Sequence, residues 1–173
     1  MAKKWSLLLT ELVQVRGSAL NRYGFLLSGD RAEAADLVQE ALVRVFAQPR
    51  ASWDMGAAEA YVRRTMLNYF LDQHRRRARF VTATPRLAQP TAVAEHSEGV
   101  GLRIDLLAAL KGLSPRQRAC VVLRYYEDCT VPAIASQLSC SEGTVKGHLS
   151  DALARLGAAL DTPRTEVEGD TRS

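Results

Sequence analysis

Two stretches of this chain carry side chains suited to a polyanion. The first is Arg75-Arg76-Arg77-Ala78-Arg79, four guanidinium groups in five residues. A guanidinium presents a rigid fork of donors that matches phosphate geometry. The second is LSCSEGTVKGHLSDALARL, residues 138–156. There the polar knot Ser139-Cys140-Ser141-Glu142-Gly143 interrupts an apolar pattern. The pattern resumes with Val145, Leu149, Ala152, Leu153, Leu156 and Leu160, the three-and-four spacing of one buried helix face. Just upstream, Thr130 can cap a short helix that carries Pro132 in its first turn and Ala133, Ile134, Ala135 and Leu138 as small or apolar contacts. A short helix, a tight turn and a longer amphipathic helix make a helix-turn-helix, whose second helix enters the DNA major groove N-terminus first. Ser141, Gly143 and Thr144 are small enough to let backbone approach phosphate, and the free N–H groups of a first turn favour an anion. Glu142 can accept from a cytosine amino group, Lys146 can reach guanine or phosphate, and His148 can reach either. A structural helical hairpin with a merely solvated outer face fits the same pattern.

The elements that must hold these groups read as helices throughout. The first body opens with a helix over roughly 5–27, broken by Ser28-Gly29-Asp30. Asp30 followed by Glu33 has the form of a capping box. The next helix sets Leu37, Val38, Ala41, Leu42, Val45 and Phe46 on one face and Asp36, Gln39, Glu40 and Arg44 outside, and Pro49 stops it. After a loop through Trp53, Asp54 and Gly56, a third helix over about 57–77 buries Val62, Met66, Phe70 and either Tyr69 or Leu71. Residues 81–101 contain two prolines and no sustained period, the composition of a flexible linker. The second body covers 102–160: Leu102, Leu106 and Leu110 at spacing four, then a full start signal in Ser114-Pro115-Arg116-Gln117. The tail 161–173 is polar and expected to be disordered. The fold class is therefore all-α, with two small helical domains, 1–80 and 102–160.

The formal charge of +4 is unevenly spread. Residues 1–80 hold 13 Lys/Arg against 8 Asp/Glu, residues 81–100 hold 1 against 2, and residues 101–173 hold 9 against 9. The basic excess thus lies in the first body, beside the arginine knot, and points to nucleic acid. Cys120, Cys129 and Cys140 are odd in number and lack CxxC spacing, so reduced buried thiols are expected. No HExxH, GxSxG, Walker loop or Cys/His cluster occurs. These absences argue against an enzyme, a cofactor, a metal site or a small-molecule substrate. No apolar run approaches the ~20 residues of a bilayer span, so membrane insertion is not expected and a cytoplasmic location is.

The stretch LSPRQRACVVLRYYEDCTVPAIASQLSCSEGTVKGHLSDALARL resembles region 4 of the extracytoplasmic-function sigma factors of bacterial RNA polymerase, in the sigma-70 family. DRAEAADLVQEALVRVF resembles their region 2.2, and AYVRRTMLNYFLDQHRRRAR their regions 2.3 and 2.4. The match runs through both bodies in order. It implies a transcription initiation factor that binds core polymerase through its β′ and β subunits and directs it to promoter DNA. Region 2 (1–80) would dock on polymerase and read the minus-10 element as separated strands. Region 4 (102–160) would read the minus-35 element as duplex.

By the resemblance, Asp36, Gln39, Glu40 and Arg44 form the face for the β′ coiled coil. Tyr61 stands where a tryptophan is common, and with Arg64, Asn68 and Arg75 it forms a minus-10 face at spacings of three, four and seven. Asn68 and Asp72 match the family pattern, Asp72 as an ordering residue, and the loop 51–58 would cradle a flipped-out base. Arg75, Arg76, Arg77 and Arg79 supply phosphate contacts. Minus-35 reading falls to Ser141, Glu142, Gly143, Thr144, Lys146 and His148, with Arg116, Arg118 and Arg124 as candidate backbone contacts. Three departures from the family stand out. Ser139 replaces a usual glycine, so it must take positive φ, and His148 and Asp151 stand where arginines are frequent. An anti-sigma protein is a further candidate partner. The alternative is an autonomous, dimeric helix-turn-helix regulator, which leaves the first body without a task.

Overall fold

The computed structural model of the chain describes residues 2–50, 52–83 and 101–161, and every regular element among them is helical. Helices α1 (Ala2–Ser28), α2 (Arg31–Phe46) and α3 (Met55–Ala83) pack into an N-terminal bundle. A C-terminal bundle contains α4 (Gly101–Lys111), α5 (Pro115–Val121), α6 (Val131–Leu138) and α7 (Glu142–Asp161). Tail residues beyond 161 and the linker residues 84–100 lie outside the described part. No helix among the described residues is long and apolar enough to cross a membrane.

The N-terminal bundle closes on Leu12, Leu20, Tyr23 and Leu27 of α1, Leu37 and Ala41 of α2, and Val62, Met66, Leu67 and Phe70 of α3, all shielded from solvent. Burying each large side chain contributes about 1.5–3 kcal/mol. Gly24 lets α1 and α2 cross closely, since a Cβ there would sit 3.1 Å from the Ala34 carbonyl oxygen and the Met66 methyl. Gly29 ends α1 at φ +73°, the left-handed region that glycine alone enters without strain. A Cβ on it would lie 2.7 Å from the Lys111 stem. Asp30 caps α2, its carboxylate accepting from the Glu33 N–H at 2.8 Å. The expected capping box is only half made, because the Glu33 carboxylate accepts from Arg77 at 3.4 Å.

Several expectations need correction. Leu42 and Phe46 are half-buried. The third helix starts earlier, at Met55, because Asp54 caps it by accepting from the Ala57 N–H at 2.8 Å. It also runs on to Ala83, into the stretch read as linker. Leu71 is buried and Tyr69 half-buried. In α4, Leu106 is 43 % exposed while Leu110 is buried and Leu107 packs on the core; Leu102 lies outside the described side chains. Leu153 and Leu160 of α7 are exposed, and Val145, Leu149, Ala152 and Leu156 form the buried stripe. The spacing rule admitted more residues than the face that α7 packs against α4, α5 and α6. The capping box at Ser114 and Gln117 is complete in both directions. All three cysteines are free, Cys120 fully buried with its thiol pushed up to about 11 by burial. Sequence periodicity did not foresee that α5 widens into a π-helical turn, Val122–Tyr126.

His74, on α3, is edge-on to Phe70 one turn before it, with ring centroids 4.5 Å apart. Burial, aided by the Arg77 and Arg118 guanidinium groups, holds its imidazole down at about 4. The Glu33 carboxylate approaches only to 3.9 Å and is taken up by Arg77, so it does not offset this. His74 is therefore neutral in the folded state, while an unfolded histidine takes a proton near 6.5. Stability is unaffected by this group above pH 6.5 and falls as pH drops from 6.5 towards 4. Urea denaturation across that window should show the fall, and His74→Gln should flatten it.

Candidate nucleic-acid interface

The exposed side of α3 is a single strip. Tyr61, Arg64, Asn68, Asp72 and Arg75 all face solvent and recur at helical spacing. Asp72 lies 3.6 Å from the Arg75 guanidinium, so it orders an arginine. Arg76 is exposed beside this strip. Arg77 is not part of it: its guanidinium turns to Glu33 at 3.4 Å and to Gln73 at 3.2 Å. Arg79 is exposed further along.

At the N-terminal end of the strip, aromatic rings form a continuous ladder. Phe46 and Trp5 lie 4.7 Å apart, Trp5 and Trp53 5.8 Å, and Trp53 and Tyr61 4.8 Å between centroids. The Trp5 indole N–H anchors the ladder by donating to the Phe46 carbonyl at 3.2 Å. Arg50 lies over both outer rings, 4.7 Å from Trp53 and 5.1 Å from Tyr61. A cavity of about 200 Å³, lined by Lys4, Trp5, Arg50 and Trp53 among others, opens beside it. Rings and cations arranged so are the elements of a single-strand binding surface, where each stacked base is worth ~1–3 kcal/mol. Sequence reasoning placed Trp53 in a loop without code and missed Arg50 altogether. The signal available was a tryptophan and an arginine within a dozen residues of Tyr61.

On α2, Asp36, Gln39 and Arg44 are exposed and Glu40 half-buried, forming one face. Arg44 is pinned there by the Glu40 carboxylate at 2.5 Å and by the Tyr69 ring at 4.6 Å. Alongside runs an apolar groove lined by Leu9, Val13, Val38, Leu42, Val43 and Phe46. Val43 is 62 % and Val13 45 % exposed. This apolar companion to the charged face was absent from the sequence reading, because Val43 and Val13 lie off the main hydrophobic stripe of their helices.

The helix-turn-helix consists of α6, the turn 139–141 and α7. Ser139 takes the left-handed conformation, φ 51° and ψ 49°, as its position required. The Ser141 hydroxyl accepts from the Thr144 N–H at 3.1 Å and lies 2.9 Å from the Thr144 hydroxyl. Ser141 and Thr144 thus hold the entry of α7 as a cap. Glu142 and Lys146 are exposed one turn apart. Gly143 and Gly147 leave the adjoining strip bare. His148 is half-buried at the edge of the face. Of the three arginines considered for phosphate, Arg118 serves the fold, buried against backbone carbonyls, while Arg124 is exposed and donates from one terminal nitrogen to the Cys129 carbonyl at 2.9 Å. Arg116 approaches the Leu138 carbonyl at 3.5 Å.

Known proteins fit this geometry. Residues 12–80 match Sigma-70 region 2, and residues 103–156 match Sigma-70, region 4. The chain belongs to the sigma-70 family. It is 39 % identical over 153 residues to the RNA polymerase sigma-E factor of Streptomyces antibioticus, covering 88 % of this chain and 84 % of the relative. It is 33 % identical over 158 residues to the ECF RNA polymerase sigma factor SigL of Mycobacterium tuberculosis, covering 88 % and 89 %. Among solved structures, the sigma factor RpoE in complex with the anti-sigma factor NepR from Bartonella quintana is similar at TM-score 0.62 and 26 % identity, covering 94 % of this chain and 97 % of that one. CnrH, solved with the cytosolic domain of CnrY, shares the fold at TM-score 0.54 and 24 % identity, covering 88 % and 87 %. The protein is an extracytoplasmic-function sigma factor, a transcription initiation factor.

In this sigma factor the turn carries avoidable strain. A non-glycine residue in the left-handed region costs ~1–2 kcal/mol, and glycine gives back part of the gain through its unfolded-state entropy. Ser139→Gly should raise the unfolding free energy by up to ~1 kcal/mol, measured by urea titration, with DNA contacts unchanged.

Proposed function

We propose that this sigma factor works through three separate faces, in a region 2 domain at 1–80 and a region 4 domain at 102–160. The α2 face, with Asp36, Gln39, Glu40 and Arg44 beside the Val43 groove, docks on the β′ coiled coil of core polymerase. Charge complementarity sets register and encounter rate there, and the apolar groove supplies buried area. Region 4 engages the β subunit. The α3 strip of Tyr61, Arg64, Asn68 and Arg75, extended by Trp53 and Arg50, reads the minus-10 element as separated strands. Arg76 and Arg79 contact phosphate, and Arg77 joins them once released from Glu33. Region 4 reads the minus-35 duplex: Glu142 and Lys146 reach base edges, Gly143 admits the backbone, His148 reads from the rim, and Ser141 and Thr144 present the helix N-terminus. The observation that carries this reading is the alignment of Tyr61, Arg64, Asn68 and Arg75 on one exposed strip that ends in an aromatic ladder.

Residues 101–173 balance at 9 basic against 9 acidic, and region 4 itself, residues 102–160, holds 7 against 5, a net charge of only +2. Alone it binds duplex weakly, since phosphate neutralisation supplies much of the affinity for DNA. Tethered on polymerase beside region 2, it acts at ~mM effective concentration. The chain itself performs no chemistry and acts in the cytoplasm. An anti-sigma protein is the proposed regulator, as RpoE was solved with one.

In vitro transcription with core polymerase over a promoter library tests the whole reading, and absence of specific starts would overturn it. Tyr61→Ala should lower open-complex formation by roughly 5- to 150-fold, the equivalent of ~1–3 kcal/mol, while core binding measured by fluorescence anisotropy is unchanged. Val43→Asp should do the opposite, weakening core binding and leaving binding to a preassembled single-stranded minus-10 oligonucleotide alone. A palindromic site protected by the free protein would instead favour the autonomous regulator.

A further inference from the structure

Lys4, Leu7, Leu8 and Glu11 recur at spacings of three, four and seven, so they share one face of α1. All four precede residue 12, where the match to Sigma-70 region 2 begins. A helix face with two leucines is ordinarily covered by another helix. Here it meets a loop instead, and with Pro49, Arg50 and Trp53 it walls the cavity of about 200 Å³ beside the aromatic ladder. Leu8 is half-buried, but Leu7 stays 61 % exposed, so the cavity is open on that side. Trp5 forms an inner wall. Its ring packs on Phe46 and its indole N–H is taken by the Phe46 carbonyl, which holds the ring in place. Trp53 is a partition: it lines the cavity, and it also lies 4.8 Å from Tyr61, which does not line it. Following the α3 strip from Arg75 to Tyr61 and on to Trp53, the next step is therefore this cavity. Arg50 covers the Trp53–Tyr61 side. The other charged groups of the lining are a carboxylate, Glu11, and an ammonium, Lys4.

Aromatic and apolar walls with a few polar groups are what an enclosed, unpaired base requires: it stacks between side chains and is read along its hydrogen-bonding edge. We propose, resting on the reading of the α3 strip as the minus-10 surface, that this cavity is a second base subsite. It takes the unpaired nucleotide next to the one that stacks on Tyr61. The base lies between Trp53 and the two leucines. Glu11 accepts from an exocyclic amino group, and Lys4 donates to a ring carbonyl oxygen. Guanine and cytosine carry both groups. Thymine lacks the amino group and adenine lacks the carbonyl, so each leaves one charged side chain of the cavity without a partner, the mismatch that a hydrogen-bonding site rejects most strongly. The first turns of α1 thus extend base reading beyond the part of the chain that matches region 2.

The test uses holoenzyme assembled from core polymerase and the full chain, with the single-stranded minus-10 element that the promoter library defines. Each nucleotide is made abasic in turn, and affinity is read by fluorescence anisotropy for wild type, Tyr61→Ala, Glu11→Ala and Leu7→Ala. Both α1 substitutions fall on exposed residues, so the fold is retained. In wild type, loss of a stacked base should weaken binding by roughly 5- to 150-fold. At one position that penalty should disappear in Tyr61→Ala. At its neighbour the penalty should persist in Tyr61→Ala and shrink to about twofold or less in Glu11→Ala and Leu7→Ala. At this neighbour, guanine or cytosine should bind at least about fivefold more tightly than adenine or thymine, and Glu11→Ala should erase the preference. A merely structural role for the α1 face would weaken intact and abasic strands alike. Such uniform weakening overturns the subsite, as does a wild type whose penalties all depend on Tyr61, and in both cases the minus-10 reading of the strip stands. Equal affinity for the four bases at the neighbouring position overturns the roles given to Glu11 and Lys4. A wild-type holoenzyme that does not bind the strand brings down the subsite and the minus-10 reading together.

Discussion

Helix ends set the terms of this structure. Each helix leaves carbonyls at its C-terminus that need donors, and a chain of short helices has many such ends. Here α1 and α4 finish at the same place, and a single buried guanidinium closes both. The arrangement is possible because Gly29 lets the chain turn sharply beneath the Lys111 stem, and because a complete capping box fixes the start of α5, from which Arg118 projects. Burying a guanidinium without a carboxylate partner is costly; four carbonyl oxygens and two converging helix dipoles offset part of that cost, while its Nε is buried without a hydrogen-bond partner. The N-terminal and C-terminal cores consequently join in one apolar cluster across this point.

Around that junction, function is assigned to what the cores leave over. The core helices are held by interior stripes, so their outer faces are free to vary. The α2 face keeps charge beside an apolar groove, the α3 strip keeps rings beside cations, and α7 keeps small residues at its entry. On the proposed function, specificity would come from several weak contacts joined on one large partner, which suits a region 4 of low net charge.

Much of this was legible in the residues. Asp30, Ser114 and Thr130 each announced a helix start, and each cap is present. The αL demand on Ser139 followed from a side chain placed where a tight turn needs glycine, and the angle bears it out. The strip on α3 followed from spacing. What stayed hidden depended on distant contacts. Leu106, Leu153 and Leu160 have the right spacing but stay 43–47 % exposed among the described residues. Arg118 looked like a phosphate ligand because nothing local reveals that the end of α1, some 90 residues away in sequence, lies beside it. Arg50 and Trp53 join Tyr61 only once α1 brings Trp5 under the loop. The π-helical turn breaks no rule of composition, so periodicity passed over it.

The Arg50 guanidinium rests on the faces of Trp53 and Tyr61 that an extruded base would need. On the proposed function, an arriving base would displace this guanidinium from the rings and leave it within reach of the sugar–phosphate chain that carries the base. Unpaired DNA would supply both the ring and the phosphate and intact duplex only the phosphate, so the swap would discriminate melted from unmelted template.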